Sequence, residues 1–563
     1  MKILFLQLPC LDNDTSGVRE NPPMAGFCLL HSLGRAGKAR VRDVRFLSAE
    51  EEALDDRGLT ALIGGWRPDL VCATLYLWNV ERTLHLLRRV RKALPFVRFM
   101  VGGPEVAPDH PFLFRSLVPD VAVAGEGEWV FPRIVRALRS GTTTDLHPVA
   151  WKAGRRYCWG RTPAPLPGPE SWLPDRKDPR WRPDGHGMAY LESTRGCPMR
   201  CSYCRYSHLG RGIVFLDPSE VLSRARALAA RGAREIRFVD PTFNAHPAFE
   251  KILESLGRLH RETGVRFFAE VQAESLHPAE IHLMARAGFS EIEVGVQSRD
   301  RRVLGLVRRP SSPNRLEENL TRMIGSGIPV TVDLMYGLPG QDKQEVMESI
   351  QWARALGPLR VQCLQTLVLP GTTLREDRRK WGIQADSRPP YGIRSTHSMS
   401  WDDIREIEAY IRAISPEDCM TRRFVGHRLP DLFPERIRID LERRAPYESI
   451  PGRSSRKALI FSGHDLFGSR AQILTAMTRA LRAEPHILWQ FVLHPREETP
   501  LDLMEEMISR VRDFPPLWLD RFASVSGWSR IASRRVFVLL QRGARCSRSW
   551  VEAVEALLGD HFF

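Results

Sequence analysis

Three cysteines lie within eight positions near the middle of the chain, at Cys197, Cys201 and Cys204. The chain has 563 residues but only ten cysteines, and the others are scattered. Cysteines so few and so dispersed do not make a disulfide framework, so the trio indicates metal ligation in a reducing compartment. Thiolates are good ligands for iron, and a four-iron cubane has four iron atoms to ligate. Three cysteines would leave one iron open to a substrate or cofactor.

Zinc is the alternative ligand for these thiols. His208 follows Cys204 by four residues and would complete a Cys3His set, the donor set of a tetrahedral structural zinc site. Structural zinc usually fastens loops together, whereas this trio falls directly after a buried strand. We therefore prefer the cubane and retain zinc as a second interpretation.

The cysteines follow the first of six strand–helix units in residues 188–385, which predict an open, partial βα barrel instead of the eight-unit closed form. Catalytic groups of such barrels gather at the carboxyl ends of the strands, which is where the trio lies. The six strand sequences are "MAYLEST", "EIRFVD", "VRFFAEV", "EIEVGVQ", "PVTVDLMYG" and "RVQCLQTLVL".

Residues 1–150 alternate short apolar runs with helical stretches. This pattern predicts a Rossmann-like, doubly wound parallel sheet, whose ligands bind at the carboxyl ends of the strands. At those ends the sequence places Thr74, Gly102, Gly103 and residues 125–128. The glycine pair would let a nucleotide-like group approach the backbone closely.

The rest of the chain is a linker and a C-terminal region. Residues 151–187 are rich in proline and predict an extended connection. Residues 386–563 predict a helical segment, "WDDIREIEAYIRAI", followed by a small α/β or α+β domain with strands at "KALIFSG", "ILWQFVLH" and "RRVFVLLQRG". The overall fold class expected is α/β.

Composition limits the remaining possibilities. The formal charge is +15, but no run of five or more basic residues occurs, so nucleic-acid binding is a minority interpretation. No apolar run is long enough to span a bilayer, and the start, "MKILFLQLPC", fits a buried strand better than a signal peptide. We expect a cytoplasmic protein with no membrane partner.

The cysteine spacing, with Tyr203 before the last cysteine, resembles that of the radical S-adenosylmethionine (SAM) enzymes. The resemblance implies a [4Fe-4S] cluster whose open iron chelates SAM, and one-electron cleavage of SAM to a 5′-deoxyadenosyl radical. It also implies an external electron donor such as flavodoxin or ferredoxin. Tyr203 would then lie against the cofactors, and the chemistry would belong to the cofactors while the protein positions them.

Two further segments, "EVGVQSRDRRVLGLVRRP" and "VDLMYGLPG", resemble the coproporphyrinogen-oxidase-like branch of that family. The resemblance implies that Glu270 and Gln297 contact the ribose or nearby polar atoms of SAM. It implies that Arg309 pairs with the SAM carboxylate and that Asp333 lies close to the adenosine. The alternative is that Arg309 is a surface charge and Glu270 part of a structural network.

A cobalamin-binding domain is implied by a different set of segments. "FVDPTFN", which contains Asp240, replaces the glycine-rich second-strand motif of many radical SAM enzymes and is similar to a string in members with an N-terminal cobalamin domain. "PDLVCATLYLWN", "VGGPE" and "AGEGEWVFPRIV" resemble that domain. Cobalamin contacts would then include Thr74, Gly102 and Gly103, with Asp240 also at a cofactor. The loop after the first strand contains no His for the cobalt, and a domain that retains the fold without the cofactor is the alternative.

The function that this resemblance favours is cobalamin-dependent methyl transfer to an unactivated carbon or phosphorus centre of a small molecule or peptide. The alternatives are radical SAM cyclisation, oxidation or rearrangement without methyl transfer, and RNA modification or nucleic-acid binding. Tyr336, Tyr391 and Cys363 are interpreted as packing residues. The sequence does not indicate the substrate.

Overall fold

Three parallel β-sheets follow one another along the chain. The computed structural model describes residues 1–11, 23–35, 43–163, 173–206, 212–414, 424–428, 433–442, 452–523 and 533–560. Residues 12–22 in the loop after the first strand, residues 164–172 of the linker, His208 and Cys419 lie outside these ranges.

The first sheet has seven strands in the order β2-β1-β3-β4-β5-β7-β8. Its strands are β1 (Lys2–Leu6), β2 (Asp43–Phe46), β3 (Leu70–Thr74), β4 (Arg98–Gly102), β5 (Val121–Val123), β7 (Val149–Ala153) and β8 (Arg156–Trp159). A separate short pair is formed by β6 (Leu146–His147) and β9 (Thr162–Pro163). The helices are α1 (Met24–Arg35), α2 (Ala49–Glu52), α3 (Asp56–Trp66), α4 (Val80–Ala93) and α5 (Phe131–Ser140).

The five parallel strands of this sheet carry the apolar runs seen in the sequence. Ile3 and Phe5 face one apolar core and Leu4 and Leu6 the other, so helices cover both faces of β1. The antiparallel strands β7 and β8 were not predicted. In β8, at the sheet edge, exposed side chains alternate with half-buried ones, so the strand has no apolar run. The expected doubly wound sheet is confirmed, with an antiparallel extension.

The second sheet has six parallel strands in the order β10-β13-β14-β15-β16-β17. The strands are β10 (Met188–Leu191), β13 (Glu235–Phe238), β14 (Arg266–Val271), β15 (Phe289–Gln297), β16 (Val330–Tyr336) and β17 (Arg360–Gln365). Two hairpins accompany it, β11 (Thr194–Arg195) with β12 (Val214–Phe215), and β18 (Gln384–Ala385) with β19 (Ile393–Ser395). Because β10 and β17 are the sheet's two edges, the barrel is open, as the sequence predicts.

Helices cover the outside of this partial barrel. They are α6 (Pro218–Ala230), α7 (Phe249–Thr263), α8 (Pro278–Ala287), α9 (Arg301–Leu306), α10 (Pro313–Gly325), α11 (Lys343–Ala355), α12 (Thr373–Glu376) and α13 (Trp401–Ile414). The sequence analysis assigned α13 to the C-terminal region, but Ile404 and Ile407 are buried in the barrel core. Apolar burial therefore attaches residues 401–414 to the barrel.

The third sheet has five parallel strands in the order β20-β24-β23-β22-β21. They are β20 (Val425–Gly426), β21 (Glu435–Asp440), β22 (Arg456–Ser462), β23 (Leu488–Leu493) and β24 (Arg534–Leu539). The associated helices are α14 (Arg470–Ala483), α15 (Leu501–Arg512), α16 (Trp518–Ala523) and α17 (Arg548–Asp560). The region is thus α/β. Its two unpredicted strands lack apolar runs, since β20 is two residues long and β21 reads "ERIRID".

Buried ion pairs attach the first sheet's helices to the third sheet. Lys457 Nζ lies 2.6 Å from Asp55 Oδ2, with side chains 1% and 0% exposed. Glu484 Oε2 accepts a hydrogen bond from the backbone N–H of Asp56 at 3.1 Å.

Among the residues described, no helix has the length and apolar character needed to cross a bilayer.

Removal of the Lys457 charge should destabilise the chain strongly. In Lys457→Met the carboxylate of Asp55 stays buried without its cation, and we expect a loss of about 3–5 kcal/mol in the free energy of unfolding. Lys457→Met combined with Asp55→Asn should recover much of that loss, because Asn can still cap α3 through the backbone N–H of Gly58. Denaturant unfolding measures both.

The exposed pair Arg161–Asp145, with side chains 89% and 53% exposed, supplies the control. Arg161→Met should change the free energy of unfolding by at most about 1 kcal/mol. A Lys457→Met variant as stable as this control would contradict the importance of the buried pair.

Candidate functional site

The cysteine loop begins where β10 ends and is framed by the β11–β12 hairpin. Gly196, immediately before Cys197, has φ 101°, and a Cβ there would collide with the carbonyl oxygen of Gly212. Only glycine fits such a backbone position without strain. The turn at Gly196 thus aims the three cysteines at the carboxyl end of the barrel.

Two of the three thiols contact side chains that follow strands β13 and β15 of the barrel sheet. Cys201 is buried, and Cys197 and Cys204 are half-buried. Cys197 Sγ lies 3.5 Å from the Thr242 hydroxyl, and Arg309 Nη1 lies 3.9 Å from Cys201 Sγ. Within the described ranges no three His, Cys, Asp or Glu side chains converge on a single ion. A cubane takes each thiolate on a separate iron atom, so its ligands need not converge on one point.

Tyr203 packs between the cysteine loop and helix α9. Burial raises the pKa of its phenol, and the neighbouring thiols of Cys201 and Cys204 raise it further, while Arg309 opposes them. A neutral tyrosine therefore covers the thiols on this side.

Arg309 connects the thiols to strand β15. Its guanidinium donates to the carbonyl oxygen of Gly295 and to Cys201 Sγ. Burial lowers the pKa of Arg309, but the electrostatic effects of Tyr203 and Cys201 outweigh it and the net shift is upward. Arg309 is thus a fixed cation beside the thiols instead of a surface charge.

Strand β15 is irregular at this level. The register with β16 shifts between Gly295 and Gln297, and Gln297 has φ 69°, a left-handed conformation that costs a non-glycine residue energy. A Cβ at Gly295 would lie 2.6 Å from Gln297 Nε2, so glycine leaves the room that the amide uses. The strand is strained where the resemblance predicts a SAM contact.

Three carboxyl groups project into the barrel from adjacent strands. Val332 and Leu334 belong to the outer core, so Asp333 between them points inward. The same alternation directs Glu270 on β14 and Glu293 on β15 inward, and these two are direct cross-strand neighbours. Glu293 was missed by sequence reasoning, although the alternation "EIEV" in β15 could have indicated it.

The surroundings of two of these carboxyl groups favour the protonated form. Burial raises the pKa of Asp333 to about 10, with the facing Glu293 adding to the effect. Enclosure within the open barrel raises the pKa of Glu270 to about 8, although its side chain keeps accessible surface. Asp333 is 7% exposed, and its Oδ1 atom has no hydrogen-bond partner among the described residues. Protonated carboxyls can donate hydrogen bonds to hydroxyl and ring-nitrogen acceptors of a nucleoside.

Asp240 does not face the barrel interior. It is completely buried, and it accepts hydrogen bonds from the backbone N–H of Ser193, at 2.7 Å, and from the Ser193 hydroxyl. The carboxyl group therefore ties the end of β13 to the residues after β10, and the cofactor contact stays a prediction. Burial raises its pKa to about 7.

A cavity lies between the carboxyl edge of the first sheet and the start of the cysteine loop. It holds about 270 Å³, within a cleft of about 1140 Å³ that includes the open mouth. Thr74, Gly102 and Gly103 line it from the first sheet. From the barrel side it is lined by Arg195, Gly196, Glu192 and Tyr206, which the sequence did not single out.

Two features of the cavity wall are built to accept a large ligand. Gly103 has φ 104°, and a Cβ there would lie 2.6 Å from the Leu75 carbonyl oxygen, so the backbone itself forms the wall. Arg195 bridges the two sheets, with Nη1 2.9 Å from Glu128 and Nη2 2.8 Å from Glu192. Since Gly196 lines the cavity and precedes Cys197, the cavity and the thiols are adjacent.

The residues present fit the three cofactors that the resemblance implies. Three thiols form the donor set of a cluster with one open iron. The buried, unpaired Asp333 oxygen, with the Arg309 cation nearer the thiols, suits a zwitterionic nucleoside such as SAM. The glycine-walled cleft at the strand ends suits cobalamin.

Tyr336, Tyr391 and Cys363 are packing residues. Both tyrosines are completely buried, and Tyr391 donates to Glu105 Oε2 at 2.6 Å. Burial raises the pKa of the Cys363 thiol, which is thus an inert apolar group on the helix side of β17.

Loss of any one thiol should abolish the cluster. Cys197→Ala, Cys201→Ala and Cys204→Ala should each lose nearly all of the roughly four iron atoms per chain expected after anaerobic reconstitution. Iron and sulfide analysis, together with the cluster absorbance at about 400 nm, measures the loss. Cys158→Ala, at an exposed position, is the matched control and should keep its iron. Equal iron in all four variants would contradict the ligand assignment.

Asp333 should make stability depend on pH. The folded chain keeps a proton on Asp333 to about pH 10, whereas an unfolded carboxyl loses it near 3.8, so the free energy of unfolding falls as the pH rises between these values. Asp333→Asn removes this titration and should flatten the decline across the neutral and alkaline range. Urea midpoints in the cofactor-free chain measure it, with exposed Asp402→Asn as control. Parallel pH profiles for wild type and Asp333→Asn would refute the assignment.

Comparison with known proteins agrees with this geometry. Residues 191–353 match the model of the radical SAM superfamily, and residues 23–135 match that of the B12 binding domain. An uncharacterized methyltransferase of Pyrococcus horikoshii is 23% identical over 389 residues, which are 67% of this chain and 83% of that protein. The anaerobic magnesium-protoporphyrin IX monomethyl ester cyclase of Rubrivivax gelatinosus is 23% identical over 384 residues, 64% of this chain and 66% of the cyclase.

A solved structure shares the fold. The radical SAM methyltransferase TsrM of Kitasatospora setae, with cobalamin and a [4Fe-4S] cluster bound, superposes with a TM-score of 0.54 at 17% identity, covering 69% of this chain and 81% of TsrM. The first sheet lies in the B12-binding match and the barrel in the radical SAM match. Residues 191–353 are therefore a radical SAM domain, and residues 23–135 ahead of them are a B12-binding domain.

Proposed function

We propose that the chain is a cobalamin-dependent radical SAM methyltransferase. The observation that carries the proposal is the adjacency of the glycine-walled cavity and the cysteine loop, which share Gly196. When bound, the cluster supplies single electrons to SAM and cobalamin carries a methyl group between SAM and substrate. The chain positions the cluster and the cobalamin, supplies protons and excludes water from both sites.

The residues of the chain have distinct tasks in this proposal. Cys197, Cys201 and Cys204 hold the cluster, and Tyr203 shields it. Arg309 pairs with the SAM carboxylate, because its guanidinium is fixed at Gly295 and Cys201.

The other contacts are hydrogen bonds. Gln297, Glu270 and Asp333 orient the nucleoside of SAM, and the protons that burial holds on the two carboxyls make them donors. Thr74, Gly102 and Gly103 border the cobalamin.

Methyl transfer is supported by the names of two similar proteins, the methyltransferase of Pyrococcus horikoshii and TsrM. The acceptor would be an unactivated carbon or phosphorus centre of a small molecule or peptide. Flavodoxin or ferredoxin would supply electrons, and the reducing cytoplasm suits both the thiols and the cluster.

Radical SAM cyclisation, oxidation or rearrangement is the second candidate. The similarity to the magnesium-protoporphyrin cyclase, 23% identical over 384 residues, favours keeping it. Nucleic-acid modification has narrower support. A tRNA-2-methylthio-N(6)-dimethylallyladenosine synthase of Nocardioides sp. is 24% identical over 282 residues, which are 47% of this chain. Many of the basic residues pair with neighbouring acids on the surface, as Arg302 does with Glu345.

Products formed from SAM test the proposal. The chain reconstituted anaerobically with iron, sulfide and cobalamin, then supplied with SAM and a chemical reductant, should release both 5′-deoxyadenosine and S-adenosylhomocysteine. The variant with all three cysteines replaced by alanine is the control and should release no 5′-deoxyadenosine. Release of 5′-deoxyadenosine without S-adenosylhomocysteine would support the second candidate, and release of neither would overturn both.

A further inference from the structure

The loop that follows β4, residues 103–110, contacts both cofactor sites and is called here the β4 loop. It begins at Gly103 and Pro104, which line the cavity proposed for cobalamin. The backbone N–H of Leu75 donates to the carbonyl oxygen of Gly102, and the backbone N–H of Glu105 donates to the carbonyl oxygen of Leu75. These hydrogen bonds attach the loop to the residues after β3. Its position therefore sets one wall of the cavity.

Arg205 joins this loop to the cysteine loop. It follows Cys204 directly, and its guanidinium donates to three backbone carbonyl groups. Nε lies 3.2 Å from the Pro104 oxygen, Nη2 2.9 Å from the Val106 oxygen and Nη1 3.2 Å from the Gly371 oxygen. A single side chain next to a cluster ligand thus holds two carbonyls of the β4 loop, one of them on Pro104 in the cavity wall.

The barrel leaves a specific space for this guanidinium. Gly371 has φ 73°, and a Cβ there would collide with Arg205 Nη1 and lie 3.0 Å from Ala107 Cβ. Burial lowers the pKa of Arg205, and Asp109 and Glu105 partly offset that effect. The cation is therefore desolvated. Each of its three guanidinium nitrogens donates a hydrogen bond to one of the three carbonyl oxygens.

Other contacts fix the β4 loop to the barrel, both at Glu105, between the two residues that Arg205 holds, and near the end of the loop at Asp109. Glu105 Oε2 accepts from the Tyr391 hydroxyl at 2.6 Å and lies 3.0 Å from His110 Nε2, and all three side chains are buried. Arg375 pairs with Asp109 at 3.0 Å. These contacts attach the loop to the barrel, while Arg205 attaches its cavity end directly to the residue after Cys204.

We propose that Arg205 is a positioning residue that couples the cluster loop to the cobalamin wall and so sets the separation of the two cofactors. The inference rests on the proposed function, because it takes the cavity as the cobalamin site. Arg205 touches neither the thiols nor the cavity surface in the described contacts, so it acts through Pro104, Val106 and Cys204.

The first experiment uses the cofactor-free chain. Hydrogen–deuterium exchange in Arg205→Met should increase in the β4 loop and in residues 196–206 together. The control, Arg521→Met, removes a different contact of the first domain, the pair with Glu81. It should increase exchange near residue 81 and leave the β4 loop unchanged.

The second experiment uses chains loaded with both cofactors. Pulsed electron paramagnetic resonance between the reduced cluster and Co(II) should give a shifted or broadened distance distribution in Arg205→Met and an unchanged one in Arg521→Met. The cobalamin dissociation constant should rise about tenfold, the value expected for the loss of hydrogen bonds from a charged donor, with iron content unchanged. Arg205→Lys keeps the charge without the fork and should fall between the two.

The outcomes separate this inference from the function on which it rests. If the wild type binds no cobalamin, the proposed function fails, and the exchange experiment alone decides whether Arg205 couples the loops. If cobalamin binds and Arg205→Met keeps the wild-type distance, affinity and exchange, the positioning role is wrong. If Arg205→Met does not fold, the same comparisons are made with Arg205→Lys, and wild-type values there overturn the proposal.

Discussion

The site depends on two parallel sheets that meet at their carboxyl edges. Strand carboxyl ends are where α/β sheets and βα barrels bind ligands, so this arrangement brings two binding edges together across one cavity. Arg195 holds the edges in place through Glu128 on one side and Glu192 on the other, with the three side chains 16%, 9% and 12% exposed. A charged bridge so well enclosed is costly unless both carboxylates remain paired with it. Its geometry is therefore a condition for everything built around it.

Polar burial continues inside the barrel and has a chemical consequence. Asp333, Glu293 and Glu270 lie on three neighbouring strands, where burial and the neighbouring carboxyl groups raise the pKa of Asp333 and of Glu270. The barrel thus offers donors where an ordinary carboxylate would offer only acceptors. The buried carboxyl groups lower the free energy of unfolding. Apolar packing elsewhere, such as the outer core that contains Val332 and Leu334, offsets that loss.

The sequence predicted the fold wherever apolar runs mark buried parallel strands, including all six barrel strands. It missed the edge strands β8 and β21, in which exposed positions alternate with less exposed ones. It also missed β7, which has only three buried residues and runs into the segment predicted as a linker. Among site residues, cysteine spacing located the thiols, and glycines at strand ends located the cavity wall. Long-range contacts carry no local pattern, so Arg195 and Arg205 could not be predicted, whereas the alternation in β15 could have indicated Glu293. For Asp240 the cofactor contact stays a prediction, and the motif did not reveal that its carboxyl group accepts hydrogen bonds from Ser193.

The central claim is an iron–sulfur cluster with one coordination position left for SAM. Electron–nuclear double resonance on the reduced protein with SAM labelled with 15N at its amino group tests it directly. The account predicts a hyperfine coupling to the label that disappears with unlabelled SAM. A spectrum unaffected by SAM, or coupling to a fourth side chain of the protein in its place, would contradict it.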